Sequence, residues 1–298
     1  MIMITMSPFL VNGLIWYVRR GGYMIIDGNA IAKKIKDKAR NCCSDCYRKP
    51  NVVAIMLGEN PSSEAYLRMI ERTCHSVEFG YRLDRFDTSL SEHELLSHIQ
   101  KLNADEEVDG ILVQMPLPKH VSEEKVIMAI APEKDLDGFH PINAGRLFKG
   151  EKATRPCTPL AVITMFKELE IDLEGKYIVV IGRSNIVGKP LAVMLMENNA
   201  TVTICHSRTV DLEEHTRKAD IIIVAVGIAN FLKREMVSEK AIVIDVGMNE
   251  VDGKLVGDVD FESMKDYVQM ITPVPGGVGP VTNAVLLLNV IEHFKGVK

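Results

Sequence analysis

The clearest chemical signal lies in the second half of the chain, where the apolar run YIVVI is followed by Gly182, Arg183, Ser184, Asn185, Ile186, Val187, Gly188, Lys189 and Pro190, and then by a helical pattern. Glycine at a strand end lets the backbone turn tightly. A helix start beyond it offers unpaired N–H groups and a positive dipole end to a pyrophosphate. The spacing is G-x-S-x-x-x-G rather than G-x-G-x-x-G, so the turn alone is weak evidence and also fits a structural strand-to-helix connection. The next strand narrows the choice. A site selecting a free ribose usually places Asp or Glu at its end, whereas this chain has His206, Ser207, Arg208 and Thr209 after Cys205. A hydroxyl and basic groups, with Arg183 available from the loop, suit a 2′-phosphate and favour NADP. Arg208 alone also reads as a solvated surface charge.

A weaker signal is Cys43 and Cys46, spaced as in a zinc half-site or redox pair. No second ligand pair follows and no redox-type strand precedes them, so they read as helical thiols. The six cysteines form no secreted disulfide framework, and no metal site is expected.

The elements that must position these groups alternate. Ile31, Ile35 and Ala39 repeat at helical spacing, NVVAIML at 51–57 is a buried strand, and Ser62 can cap a helix running through Val77. A strand at 81–86, a helix at 91–102, a strand at 110–113 and a helix from Ser122 follow. Residues 132–156 are non-periodic and rich in Gly, Pro, Asp and Asn, and read as a linker. Thr158-Pro159 then opens a helix to about residue 169. Strands at 177–181, 201–205, 221–226 and 241–246 make the series of a doubly wound domain. The last helix, 280–294, comes after that sheet is complete and is expected to pack back on the first domain. The expected fold class is therefore α/β, with parallel sheets and crossover helices.

At 298 residues, with 47% hydrophobic and 25% charged residues, the chain has room for two domains. A net charge of −5 gives no field to attract phosphate backbones, so no nucleic-acid partner is expected. The apolar stretch 8–18 is interrupted by Asn12 and Gly13 and is too short to span a bilayer. Its basic pair, Arg19 and Arg20, follows rather than precedes it. Neither a signal peptide nor a membrane partner is expected, and the localisation expected is cytoplasmic. Residues 1–23 read as an extension, to which no function is assigned.

Six peptides carry a resemblance: VDGILVQMPLP (108–118), APEKDLDGFHPINAGRL (131–147), RPCTP (155–159), VVIGRSNIVGKP (179–190), AIVIDVGMN (241–249) and TPVPGGVGPVT (272–282). Together they resemble the methylenetetrahydrofolate dehydrogenase/cyclohydrolase family, in order from Met24 to the C-terminus. The resemblance implies NADP-dependent oxidation of 5,10-methylenetetrahydrofolate to the methenyl cation, commonly followed by hydrolysis to 10-formyltetrahydrofolate. It further implies an N-terminal α/β catalytic domain, 24–157, completed by the C-terminal helix 280–298. A Rossmann-like NADP-binding domain, 158–279, a cleft between the two, and a homodimer belong to the same expectation.

The family associates hydrolysis with a Tyr-x-x-x-Lys helix and the Gln of the VQ-PLP segment. Tyr66 and Gln114 match. The lysine position is Ile70, one helical turn from Tyr66. Arg68 points elsewhere on the helix and Arg72 matches a second basic position. Neither guanidinium can relay a proton. Asp137 resembles the carboxylate that binds the pterin ring, although before Gly138 it also reads as a turn former. Tyr66 is a pterin or aminobenzoyl contact on the resemblance and a core aromatic without it. His140 is expected to be structural. Gly276, Gly277 and Gly279 permit close backbone approach to substrate, and Met248 matches a position against the cofactor, beside Gly182, Arg183, Ser184, Gly188 and Ser207. The expected activity is a dehydrogenase with cyclohydrolase lost or much reduced. The rivals are a fully bifunctional enzyme and a catalytically idle folate- or nucleotide-binding protein.

Overall fold

The computed structural model describes residues 7–11, 14–18 and 23–296, the first two stretches by backbone alone. A hairpin of β1 (Ser7–Val11) and β2 (Leu14–Val18) leads to β3 (Met24–Ile25) and α1 (Gly28–Cys42), whose first turn is closed by Asp27 Oδ1 accepting from Asn29 and Ala30 N–H at 2.9 and 3.2 Å. β4 (Asn51–Leu57) precedes α2 (Pro61–His75). The cap of α2 is Asn60, whose side chain accepts from Ser62 and Ser63 N–H, so the expected cap Ser62 sits inside the first turn behind Pro61. β5 (Gly80–Phe86), α3 (Glu92–Ala104) with its Ser91/Glu94 capping box, β6 (Gly110–Val113) and α4 (Glu123–Ala129) follow.

The stretch expected to be a linker contains α5 (Pro141–Phe148). Proline at its start and His140 Nδ1, accepting from Ile142 N–H at 3.1 Å, define it, which gives His140 its structural role. α6 (Cys157–Glu168) starts ahead of the expected Thr158 cap. Then come β7 (Tyr177–Ile181), α7 (Gly188–Glu197), β8 (Thr201–Cys205), α8 (Leu212–Lys218), β9 (Ile221–Val224) and β10 (Ile242–Asp245). A small hairpin of β11 (Asn249–Val251) and β12 (Lys254–Val256), α9 (Phe261–Met264), β13 (Met270–Ile271) and α10 (Val278–Gly296) complete the order.

The chain divides into two units, one of Lys34–Cys157 with Asn283–Lys298, the other of Met1–Lys33 with Thr158–Thr282. The first contains a parallel sheet in the order β5-β4-β6. β4 and β6 are continuous apolar runs because both their faces are covered, whereas β5, at the edge, is only partly buried along its length. Residues 134–136 run alongside β6: Ile111 N–H donates to Lys134 O at 2.7 Å and Leu136 N–H to Ile111 O at 3.3 Å. Val53, Ile55, Ile99, Ile111, Val113 and Val126 belong to the core cluster of this unit.

Polar locks hold this unit where strands begin. Arg48 grips Asp109 with both terminal nitrogens at 2.6 and 2.8 Å, and Asn51 N–H donates to the same carboxylate. The buried Lys134 ammonium donates to the carbonyls of Leu102, Asn103 and Asp105, closing the end of α3. His293 in α10 donates from Nδ1 to Asp109 O at 3.2 Å and accepts from the Thr154 hydroxyl at Nε2, 2.6 Å. Burial, outweighing its backbone bond to Asp109, depresses the affinity of this imidazole for a second proton.

The second unit holds six parallel strands in the order β3-β13-β10-β9-β7-β8, with β2 and β1 added antiparallel beyond β3. One expected boundary changes here. Met24 and Ile25 pair with Met270 and Ile271, so the start of the segment assigned to the first domain extends the second sheet instead. Among the described residues no helix is long and apolar enough to cross a membrane, and no group of three or more His, Cys, Asp or Glu could hold a metal ion.

Candidate active site

In parallel sheets the carboxyl ends of the strands collect ligand-binding groups, since connecting loops start there. In the first unit Gln114 directly follows β6, and Asp137 directly follows the segment paired alongside it. Tyr66 is carried by α2, which is separated from the end of β4 by three residues. The architecture thus brings the three expected side chains to one edge.

Gln114 is anchored twice: its N–H donates to Ile55 O, and its amide nitrogen donates to Met115 O at 2.6 Å and Ser63 Oγ at 3.3 Å. That orientation leaves the amide oxygen for other partners. Ser63 was not anticipated. Its place three residues before Tyr66, on the same helical stripe, was the available sign.

Asp137 sits near Asp135 but in a different electrostatic state. The buried Asp135 carboxylate accepts from Gly138 N–H, His140 N–H and the Asn143 amide. Asp137 takes no hydrogen bond from any described residue, and burial first, then the Asp135 charge, push its carboxyl up to about 7. The turn-forming role left open for Asp137 falls to Asp135. Burial, then the Asp137 charge, push the Tyr66 phenol up, so it stays protonated at neutral pH. Cys157 belongs to the same neighbourhood, its thiol raised by burial and by the two carboxylates.

Ile70 is 0% exposed. The position one turn beyond Tyr66 is a fully buried hydrocarbon, and the described hydrogen bonds of Arg68 run to Glu64, away from it.

The second unit carries the expected cofactor set. Gly182, at the end of β7, has φ +127°, and a Cβ there would lie 2.3 Å from Ala225 O. A Cβ on Gly188 would lie 2.1 Å from Gly182 O. Only glycine lets this turn close so tightly. The helix beyond it has no side-chain cap from Val187, and Ser184 Oγ accepts from Val187 N–H at 3.1 Å in partial compensation. Because Ile181 pairs with Cys205, the loops holding Arg183 and Ser207 leave adjacent strands, and both residues are exposed. The strand order reverses at β7, which lies between β8 and β9. A glycine cradle that a Cβ would fill, at a helix start and a switch point, fits a dinucleotide pyrophosphate, and exposed Arg183 with Ser207 fits a 2′-phosphate.

Two buried carboxylates hold neighbouring loops. Asp258 accepts from Val226, Gly227 and Ile228 N–H at 2.7, 2.9 and 2.9 Å, and from the Asn249 amide. Asp245 accepts from Gly247, Asp258 and Val259 N–H, and burial pushes its carboxyl up to about 6 against those bonds. This is why the strand does not run to residue 226: Ala225 N–H still donates to Ile181 O, but the amides from Val226 onward turn to a side chain. Met248, which follows β10, is 72% exposed. Gly276 has φ +103°, and its carbonyl accepts from Gly28 N–H at 2.9 Å. The close approach at Gly277 is to the start of α1, where a Cβ on Gly28 would meet Gly277 O.

Comparison with known proteins gives a consistent result. The model described as tetrahydrofolate dehydrogenase/cyclohydrolase, catalytic domain, matches residues 26–137, and that described as its NAD(P)-binding domain matches residues 156–298. A protein of Paraburkholderia phytofirmans named bifunctional protein FolD is 52% identical over 272 residues, covering 90% of this chain and 95% of its own. The crystal structure of the bifunctional enzyme FolD from Campylobacter jejuni is similar at 44% identity and a TM-score of 0.89, covering 91% of this chain and 98% of that one. The Trypanosoma brucei methylenetetrahydrofolate dehydrogenase-cyclohydrolase, complexed with NADP and inhibitor, is 33% identical with a TM-score of 0.86, covering 92% and 98%.

Proposed function

The chain belongs to the tetrahydrofolate dehydrogenase/cyclohydrolase family, and from that premise we propose that it is an NADP-dependent 5,10-methylenetetrahydrofolate dehydrogenase whose hydrolysis of the methenyl product is lost or much reduced. NADP, when bound, supplies the hydride acceptor. Gly182, Gly188 and Ser184 hold its pyrophosphate at the start of α7, Arg183 and Ser207 take the 2′-phosphate, and Met248 lies against it. The carbon that loses hydride is flanked by two nitrogens whose lone pairs stabilise the cation, so oxidation needs positioning and no strong base. In its ionised form Asp137 accepts two hydrogen bonds from the aminopyrimidine edge of the pterin. Tyr66 packs on the ring system, Gln114 presents its amide oxygen, and the backbone at Gly276 and Gly277 bounds the substrate.

Hydrolysis asks for more. Water must add to an amidinium-like carbon, and protons must then move between the adduct and its nitrogens. Ile70 is the observation that carries the reading: a buried sec-butyl side chain stands where a lysine would move those protons. The names of relatives at about half identity favour the second reading, a retained cyclohydrolase. Following methenyl formation and methenyl decay separately in one assay divides the readings. Accumulation of methenyltetrahydrofolate at the buffer decay rate is expected. Decay well above that rate would establish the bifunctional enzyme, and absence of NADP-dependent turnover would establish the idle protein. We place the enzyme in the cytoplasm as a homodimer, which sedimentation velocity would register as twice the chain mass.

A further inference from the structure

Three positions of α2 share one stripe of the helix at spacings of three residues: Ser63, Tyr66 and Met69. Ser63 holds Gln114, and Tyr66 lies in the field of Asp137. Met69 has a partner of another kind. Its thioether sulfur receives the amide N–H of Asn283 at 3.1 Å. Asn283 is thereby joined to the α2 position three residues beyond Tyr66, the residue that precedes Ile70 in the chain.

Asn283 is out of place by its surroundings. It is 8% exposed and is followed in α10 by buried Ala284, Val285, Leu286 and Leu287. A nearly buried carboxamide is costly unless its hydrogen-bonding groups are used. Further along the same helix Asn289 meets that demand by donating to Leu136 O and Arg155 O at 3.1 and 3.0 Å. Asn283 has only the sulfur, a weak acceptor, among the described residues; its carbonyl oxygen takes no hydrogen bond from them and is not sealed from solvent, so it is open to a ligand.

We propose that Asn283 is a substrate-contacting, specificity-determining residue whose carboxamide oxygen faces the cationic one-carbon centre of the folate. The proposal rests on the dehydrogenase reading above. The sulfur contact turns the nitrogen toward Met69 and leaves the negative end of the amide dipole for the ligand. An ammonium group in this neighbourhood repels an amidinium cation, whereas a hydrocarbon beside a carbonyl oxygen stabilises it as hydride departs. The pair Ile70 and Asn283 thus biases the site toward forming and retaining the methenyl cation.

The test compares ligands that differ in charge at that carbon. Affinities of the wild-type enzyme, Asn283→Leu and Asn283→Asp are measured for 5,10-methenyltetrahydrofolate and for tetrahydrofolate, which is uncharged there. Leucine should weaken methenyl binding about tenfold, the loss of one charge–dipole contact comparable in size to a hydrogen bond to a charged group, and leave tetrahydrofolate binding little changed. Aspartate should tighten methenyl binding selectively. Equal losses for both ligands in Asn283→Leu would reduce the residue to a packing role, and no loss for either would remove it from the site. Either result overturns the proposal. NADP-dependent turnover of methylenetetrahydrofolate by the wild-type enzyme, measured first, tests the underlying function separately.

Discussion

Among the described residues nothing donates a hydrogen bond to the Asp137 carboxyl, and the consequence can be measured by Asp137→Asn. Burial, reinforced by Asp135, raises its carboxyl from 3.8 to about 7. The folded site therefore binds a proton more tightly than the unfolded chain does. Folding takes up a proton between those two values, so the contribution to stability is present at low pH and is lost as pH rises through 7. At 1.36 kcal/mol per pH unit the full displacement is worth on the order of 4 kcal/mol, and partial solvent access trims it to about 2–4 kcal/mol. Asparagine is never ionised and pays no such cost. Moving from about pH 5 to pH 8 spans only about two of those pH units, so relative to wild type Asp137→Asn should gain about 1–3 kcal/mol over that range, a melting shift on the order of 3–8 °C. Thermal unfolding of both proteins across that range is the assay, without ligand. Tetrahydrofolate binding should disappear in the same variant, because the amide NH2 faces the pterin donors. NADP affinity should be unchanged. A melting difference that does not vary with pH would refute the electrostatic account, and tetrahydrofolate bound with wild-type affinity would refute the assignment of Asp137 to the pterin.

Ile70→Lys should restore part of the enzyme-catalysed methenyl decay, since acid–base groups are typically worth ~10²–10⁴ in rate. It should also lower the melting temperature, because it sacrifices ~1.5–3 kcal/mol of apolar burial and desolvates an ammonium. A folded variant with decay at the buffer rate would count against lysine as the missing proton carrier. Arg183→Ala combined with Ser207→Ala should cut the NADP-to-NAD preference in kcat/KM by tenfold or more, from two contacts of about 1.5–3 kcal/mol each, and an unchanged ratio would place the 2′-phosphate elsewhere. His293, neutral in the fold, contributes stability above its unfolded value of ~6.5 that is lost as pH falls from there through the lower value it has in the fold. His293→Gln should flatten that acid limb of the melting curve. Identical acid limbs would show that His293 does not titrate with unfolding.

Strands buried on both faces are the most legible parts of this fold. NVVAIML, GILV and YIVVI are unbroken apolar runs, and their ends were readable to the residue. Strand ends set by distant side chains were not. β9 falls short of residue 226 because Asp258, more than thirty positions away, captures the amides from Val226 onward. The helix at Pro141–Phe148 escaped notice because its composition is that of a loop, and Pro141 with the His140 cap was the signal that could have located it. Peptide motifs located Tyr66, Gln114 and Asp137 in the chain, but not which of two nearby aspartates is satisfied. That distinction depends on Gly138, His140 and Asn143 converging on Asp135, a fact of packing rather than of spacing. Asn283 was similarly invisible until the partner of its amide could be seen.

The loop after β9 owes its shape to Asp258 beneath it, which binds three consecutive backbone amides and no side chain of that loop. Backbone amides are common to every residue except proline. The outward positions, such as Ile228 at 54% exposed, can therefore change identity without loosening the scaffold that shapes them. Architecture and recognition are decoupled at this point of the molecule. A lineage, or an engineer, can explore new surface chemistry at Ile228 by single substitutions while the loop remains in register, and the constraint falls instead on one acidic side chain that no ligand need ever touch.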